Sequence, residues 1–399
     1  MLTTRGRLIL ALGFGIYIAA WGFGSDPLYP VATGLILVIA VAWVWVRLAD
    51  RPFRVVRGWG DQEHLEGDDV PVMVELHPTG NVMPALVTLV ERVGRLGEQR
   101  HVLRRSGRRL SVKYVLERVP RGRYAYDEVR AELLDPFALE QATVPLPAPG
   151  ALLVYPRLVP LGPLFSESGD RSQDGRRLLL RRHSGFELHS VREYEQGESL
   201  RRVHWRSTAR RGQLMVKELE DAPRDEIAVL LDADSKAVLG ESFDVQVRAA
   251  GSILEAYVRR GRRAVLAINS ERQEVQRVHS PAADWRRALE LLAAVEPTGK
   301  VAASRLLAED TPAARALELV LVTARLDTGL VDRLVQRALS RRRVSVVFVD
   351  LATFNGAQRS REPGLLRLQA AGVALAVIGA GDDLAACLTG QPVPEALRA

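Results

Sequence analysis

The sequence predicts a multi-domain chain. An N-terminal transmembrane helical hairpin leads into a small antiparallel β-sandwich-like domain, and a doubly wound α/β domain follows at the C-terminal end. Three observations predict it. Two uncharged apolar runs stand near the start, the middle of the chain alternates apolar and polar residues with period two, and the end alternates short apolar runs with helical stripes. The boundaries fall at 1–50 for the hairpin, 51–150 for the β-rich domain, 151–225 for a connector and 226–399 for the α/β domain.

Leu8 to Gly24 carries no charge, and neither does Leu28 to Val46. Each run is close to the roughly 20 residues a helix needs to cross a bilayer core. Only Ser25, Asp26 and Pro27 separate them, so the two helices must fold back as a hairpin with both outer ends on one side. Arg5 and Arg7 precede the first helix, and Arg47, Arg51, Arg54 and Arg57 follow the second. The positive-inside rule then places both ends, and the body of the protein, in the cytoplasm at the plasma membrane. Trp21, Tyr29, Trp43 and Trp45 stand near the expected interfaces. Two readings compete: a cleaved signal peptide, against which no small-residue cleavage site is evident and a second apolar run follows at once, and a buried helix of a soluble domain.

From about residue 50 the period becomes two. Val70, Val72, Val74 and Leu76 alternate, as do Leu110, Val112, Tyr114 and Leu116, and then Val129, Ala131 and Leu133. That spacing gives strands with one buried face. Turn residues separate them at Gly67-Asp68, Pro78-Thr79-Gly80, Ser106-Gly107 and Arg121-Gly122. Five to seven short strands are expected, enough for a sandwich or barrel that spaces or binds rather than catalyses. Pro145, Pro147, Pro149, Pro156, Pro160 and Pro163 mark an extended connector.

The chain carries 55 Lys+Arg against 48 Asp+Glu, a net charge of +7, and only Lys113, Lys217, Lys236 and Lys300 are lysines. The arginines concentrate between Arg171 and Lys217, where Glu193, Glu195 and Glu198 are interleaved with Arg192, Arg201, Arg202, Arg206 and Arg210. Three uses compete for this segment. It can be an internal network of guanidinium–carboxylate pairs, a surface for anionic lipid or an acidic protein, or a phosphate-binding face for nucleic acid. Interleaved acids favour the internal network, and nucleic acid is disfavoured because no reading motif accompanies the charge. His204 with Ser207 three residues on is a candidate nucleophile–base pair for a hydrolase-like enzyme, set against a His that is simply packed. The single cysteine, Cys387, excludes an intramolecular disulfide and any cysteine metal site.

Residues 226–399 hold apolar runs at Ile227–Leu231, Ala264–Ile268, Leu317–Val322, Val344–Val349 and Val373–Ile378. Continuous runs of that length suit strands buried on both faces of a parallel sheet. Helical stripes fall between them, one through Trp285, Ala288, Leu289, Leu292 and Val295 and another through Val331, Leu334, Val335 and Ala338. Asn269 to Arg272 turns the second strand toward an antiparallel edge strand near Glu274–His279. In such a sheet ligands sit beyond the carboxyl ends of the strands, which places Asp232 and Asp234 at the expected site. No phosphate-binding Gly-x-x-x-x-Gly-Lys-Ser/Thr loop occurs, which points away from a P-loop ATPase, and neither a Gly-x-Ser-x-Gly elbow nor a His-Glu-x-x-His motif is present, though an uncommon enzyme would carry none of these.

The arginine-rich segment resembles the signature of the bacterial "domain of unknown function 58" family. Arg192, Tyr194, Gly197, Arg201, His204, Trp205, Ala209 and Arg210 fill its places, with Arg206 inside it. Glu198 stands where the family usually has Asp, and Val203 where it usually has Ile. The likeness continues through the hairpin, Asp135-Pro136-Phe137, the Leu-Leu-Val-Tyr-Pro connector and the α/β end. It implies a von Willebrand factor A-like C-terminal domain and association with a MoxR-type AAA+ ATPase. It also implies a strand-end Asp-x-Ser-x-Ser metal site for Mg²⁺. Asp232 keeps the first position of that pattern, Asp234 replaces the first Ser with another oxygen ligand, and Lys236 puts a cation at the second. Thr323-Ala324-Arg325 stands where an Asp-Gly pair is expected, with Asp327 nearby. The function expected is a membrane-anchored, non-enzymatic adaptor that engages a protein partner in assembly or maturation of a complex.

Overall fold

The computed structural model describes residues 1–60, 62–80, 82–147, 150–167, 187–194, 203–220, 226–279, 282–308 and 311–389. The chain divides into two compact units, Met1–Tyr155 and Pro156–Ala399.

In the first unit, helices Thr4–Phe23 and Leu28–Ala49 form the hairpin, and both are long and apolar enough to cross a membrane. Thr3 caps the first helix by accepting the Gly6 N–H. Gly24 ends it at φ 60°, a left-handed conformation that a side chain would disfavour. Small residues face the partner helix, and a Cβ on Gly13 would lie 3.2 Å from Ile36 and 3.3 Å from Leu35. Large apolar side chains such as Leu12, Trp21, Val41 and Trp43 point outward and stay exposed. A helix packed into a soluble core would bury these groups, so their exposure along both helices is consistent with membrane anchoring.

The β-rich region holds ten strands, more than the five to seven its alternation suggests. They are β1 (Phe53–Gly58), β2 (His64–Leu65), β3 (Val70–Pro78), β4 (Leu86–Val93), β5 (Glu98–Val102), β6 (Arg104–Ser106), β7 (Arg109–Leu116), β8 (Gly122–Leu134), β9 (Gln141–Pro145) and β10 (Ala151–Tyr155). One sheet has the order β1-β3-β7-β6, and the other the order β2-β10-β8-β4-β5, with β9 also on β8. The alternating residues Val70, Val72, Val74 and Leu76 join Leu89, Leu133, Leu152 and Val154 in one core between the sheets. Ala151–Tyr155, which the prolines around it place in the connector, pairs with β8 instead. A polar cluster crosses this core. Arg57 and Tyr114 both donate to the fully buried Glu91 carboxylate, and the Arg57 guanidinium lies 3.7 Å over the Tyr126 ring. Burial pushes the Tyr126 hydroxyl up to about 12.

The second unit begins with an antiparallel pair, β11 (Glu187–Glu193) and β12 (Met215–Glu220). A six-stranded sheet follows, made of β13 (Ile227–Leu231), β14 (Ala264–Ile268), β15 (Val275–Val278), β16 (Glu318–Thr323), β17 (Arg343–Val349) and β18 (Ala374–Ile378). Its order is β15-β14-β13-β16-β17-β18, with β15 antiparallel and the rest parallel. Both faces are covered. Ile227, Val229 and Leu231 enter a core with helices Ser242–Arg259 and Asp284–Ala294, while Ala228 and Leu230 enter a second core with helix Thr328–Leu339. Burial on both faces is why these strands carry unbroken apolar runs. Gly251 lets Leu158 dock on the long helix, since a Cβ there would lie 2.6 Å from the Leu158 side chain. On the other face the predicted stripe of Val331 and Leu334 is buried with Leu330, and Arg337 is buried beside them. Its guanidinium donates to the Ala314 and Ala316 carbonyls, and burial lowers its pKa to about 10.

Candidate functional site at the strand carboxyl ends

The sheet changes direction at β13. The chain leaves it to build β14 on one side, then crosses to place β16 on the other. Open α/β sheets bind ligands at such a switch point, outside the carboxyl ends of the strands. Here four of the five parallel strands end in a polar residue. Asn269 follows β14, Asp232 follows β13, Thr323 closes β16 and Asp350 follows β17.

Three of these side chains meet. Asp232 is 4% exposed, and its carboxylate accepts from Asn269 Nδ2 at 2.6 Å and from Thr323 Oγ1 at 2.6 Å. Asn269 is also held by its neighbours, because its Oδ1 accepts the Ala233 N–H and its Nδ2 reaches the Val301 carbonyl at 3.1 Å. Burial holds the Asp232 carboxyl above the usual carboxylate range, against the opposing pull of the hydrogen bonds from Thr323 and Asn269. Gly299 passes directly over the strand end. Its N–H donates to the Ala233 carbonyl at 2.8 Å, and its carbonyl accepts the Ser235 N–H at 3.1 Å. A Cβ on Gly299 would stand 2.3 Å from the Asn269 carbonyl oxygen, so only glycine fits that close approach.

The rim is charged and open. Asp234 caps its own turn by accepting the Lys236 N–H at 2.9 Å, and Arg325 stands 3.7 Å from its other oxygen. Asp327 turns away and caps helix Thr328–Leu339 by accepting the Leu330 N–H at 2.7 Å. Asp350 is likewise satisfied, by Ser360 N–H at 2.7 Å and Ser360 Oγ at 2.9 Å. A Mg²⁺ ion does not fit the residues in this arrangement. Both Asp232 oxygens face donors, Asp234 faces a guanidinium, and an octahedral hard cation needs free oxygen ligands. Among the described residues no three His, Cys, Asp or Glu side chains converge as a metal set. Beside the rim a cavity of about 540 Å³ opens between Glu241, Arg248, Phe354, Gly379, Asp382 and Leu384.

Of the signature residues, Gly197 and Arg201 lie outside the described residues, and Arg192 is described only as backbone in β11. Tyr194 N–H donates to the Leu214 carbonyl at 2.9 Å, and His204 N–H to the Met215 carbonyl at 2.7 Å. These bonds hold the helix Trp205–Arg211 against β12. Trp205 is 68% exposed, and Arg206, Arg210 and Arg211 are exposed around it. Among the described residues no carboxylate pairs with those three arginines, while Glu195 and Glu198 lie outside the described residues. The half-buried His204 accepts or donates at Nδ1 to Ser207 Oγ, 2.7 Å away. Its position ahead of the helix makes this a local tie across the first turn, and no third group among the described residues orients the ring as a triad requires.

Asn269, Thr323, Gly299 and Arg325 complete the strand-end arrangement around Asp232 and Asp234, and sequence spacing did not single them out as a group. Their common signal is that each of the strand-end residues breaks an apolar run at its carboxyl end.

Residues 190–354 match the model of a family described as "Protein of unknown function DUF58". "Uncharacterized protein YeaD" of Bacillus subtilis (strain 168) is 26% identical over 224 residues, which cover 55% of this chain and 54% of that protein. The chain thus spans about half the length of this curated relative. Among solved structures, Bifidobacterium dentium beta-glucuronidase complexed with coumarin-3-O-glucuronide aligns at 11% identity with a TM-score of 0.18, over 75% of this chain and 44% of that one. A likeness that low carries no argument. The stretch that resembles the DUF58 family therefore takes in the exposed Trp205 helix together with Asp232, Asn269, Thr323 and Asp350 at the strand ends.

Proposed function

We propose that this chain is a membrane-anchored adaptor whose α/β domain, of the von Willebrand factor A-like type, presents its strand-end rim to a protein partner from the cytoplasmic face. A MoxR-type AAA+ ATPase is the partner the family resemblance implies, and assembly or maturation of a complex is the task. One observation carries the reading. The buried polar groups at the switch point satisfy one another, while Asp234, Lys236 and Arg325 remain as a charged rim. Catalysis needs an acid, base or nucleophile left available to a substrate, whereas docking needs a rigid charged surface. The strand order, with an antiparallel β15 at the edge, supports the von Willebrand A-like assignment.

The test is mild cross-linking in native membranes supplied with ATP, comparing wild type with Asp234→Arg/Lys236→Glu. The adaptor reading expects a MoxR-type ATPase with the wild type and a roughly ten-fold lower yield with the variant, the effect of about 1.4 kcal/mol of lost rim complementarity. Recovery of no ATPase from either sample would overturn it. Equal recovery from both would move the contact to the Trp205 face.

A further inference from the structure

The base of the hairpin is fastened to the β-sandwich through one loop. Asp135 is 2% exposed, and its carboxylate accepts the N–H groups of Phe137 at 2.8 Å, Leu139 at 2.6 Å and Glu140 at 2.6 Å. That turns the loop's carbonyls outward. Thr3 N–H donates to the Leu139 carbonyl at 2.9 Å, and Thr3 Oγ1 to the Ala138 carbonyl at 2.7 Å. The Met1 ammonium sits 2.6 Å from Glu140. Gly6 makes the contact tight, since a Cβ there would stand 2.2 Å from the Leu139 carbonyl oxygen.

This fastening fixes the height of the loop along the membrane normal. Helix Thr4–Phe23 carries Arg5 and Arg7 in its first turn, and its uncharged run begins at Leu8, so its amino end stands at the headgroup level. Its cap, Thr3, therefore lies at the bilayer surface, and the loop bonded to Thr3 lies there too. Phe137 is two residues from the bonded Leu139 and 66% exposed. Between the loop and the first helical turn runs a groove of about 390 Å³, bordered by Arg5, Arg7, Thr4, Ala138 and Gln141. Among the described residues no carboxylate pairs with Arg5 or Arg7, both exposed. The nearby acids are occupied, Asp135 by backbone N–H groups and Glu140 by the Met1 ammonium. Two exposed guanidinium groups line this groove, and the exposed Phe137 ring belongs to the loop bonded to the same cap, so both stand at the same end of the helix. The helix terminus itself is already satisfied, because Thr3 caps Gly6.

We infer that this groove seats the phosphate-bearing headgroup of an anionic phospholipid, with Phe137 entering the bilayer interface beside it. Guanidinium forks suit phosphate, and an aromatic ring at the headgroup level anchors a domain to the surface. The inference rests on the membrane-spanning reading of the two helices.

The full chain in a Cys387→Ser background would carry a nitroxide label at Phe137→Cys. It would be placed in nanodiscs of phosphatidylcholine alone or with one quarter phosphatidylglycerol. The label is expected to be reached by oxygen more readily than by a water-soluble nickel chelate. Native mass spectrometry should show phosphatidylglycerol retained on the wild type, with Arg5→Gln/Arg7→Gln weakening retention roughly 30-fold, the effect of about 1 kcal/mol per arginine near an anionic surface. Both arginines are exposed, so an unchanged melting temperature would confirm that the variant folds. A label as open to nickel as a loop in water, or retention unchanged in the variant, would overturn the inference. Displacement of the lipid by millimolar inorganic phosphate would overturn it in favour of a free-anion site. Extraction of the wild type from membranes by alkaline carbonate would overturn the spanning reading itself, a separate outcome.

Discussion

Replacing Asp232 by Asn should raise the stability of the protein at neutral pH, while replacing it by Ala should lower it. Asp232 receives the Asn269 amide and the Thr323 hydroxyl, each at 2.6 Å, in a setting 4% exposed. The Asp232→Asn side chain can keep both contacts. Its Oδ1 still accepts from Asn269 and its Nδ2 donates to Thr323 Oγ1, whose own proton turns to the Arg325 carbonyl at 2.9 Å. What disappears is the buried charge. Because burial raises the Asp232 carboxyl above its unfolded value, the wild type has its full share of stability from this group only below about pH 4, and loses it as pH rises through the folded pKa. The gain of Asn over Asp should therefore be largest at pH 7 to 8 and shrink toward pH 4. In the Asp232→Ala variant Asn269 keeps the Val301 carbonyl but one of its N–H groups is orphaned. A buried orphan donor costs about 1–3 kcal/mol, and at about 2–4 °C per kcal/mol for a unit of this size that is a drop of about 2–12 °C in melting temperature. Thermal melts of the detergent-solubilised chain between pH 4 and 8, with and without millimolar Mg²⁺, decide the matter. If the Asp232→Asn variant melts below wild type at pH 7.5 and Mg²⁺ raises only the wild type, the carboxylate is serving a cation and the closed hydrogen-bond network is the wrong description.

Two further substitutions test other parts of the structure. Gly299→Ala places a methyl 2.3 Å from the Asn269 carbonyl and 2.7 Å from the Ala233 carbonyl, backbone that has no room to yield. A loss of about 3 kcal/mol or more is expected in urea melts, and a loss under about 1 kcal/mol would mean that the Gly299 segment does not cross the strand end as described. In the sandwich, Glu91→Ala leaves the Arg57 guanidinium, 1% exposed, without its carboxylate, at an expected cost of about 3–5 kcal/mol. Tyr114→Phe removes only one donor to that carboxylate and should cost less, about 1.5–3 kcal/mol. Equal losses for the two variants would show that the pair is not what holds the site.

How far the sequence carried differs between the two units for a physical reason. Periodicity reports which face of an element is buried, so it found β3, β7, the end of β8 and the parallel strands, but not β4, whose buried Glu91 breaks its apolar alternation. Val70 to Leu76 alternates because β3 lies on a core, and Ile227–Leu231 runs unbroken because β13 is covered on both sides. It passed over β5 and β6, whose Glu98, Arg100, Arg104 and Arg105 are exposed at sheet edges where no core imposes a pattern. It also gave Leu152 and Val154 to the connector, because the prolines on either side outweighed four apolar residues. In the candidate site, Asp232 was legible because it follows directly on a buried run. Thr323 was legible only as standing where an Asp-Gly pair is expected; its bond to Asp232, and that of Asn269, were not, since these residues are 91 and 37 positions away and only the parallel register of β14, β13 and β16 brings them together. The same register explains why such residues gather there at all. Buried polar groups do occur elsewhere on these strands, as at Ser345 within β17 and Glu318 at the start of β16, but neighbouring parallel strands stop at one level. Polar residues at their carboxyl ends therefore meet at one edge of the sheet. Those that bond to one another close that edge, and those left over, Asp234, Lys236 and Arg325, are what a partner would encounter.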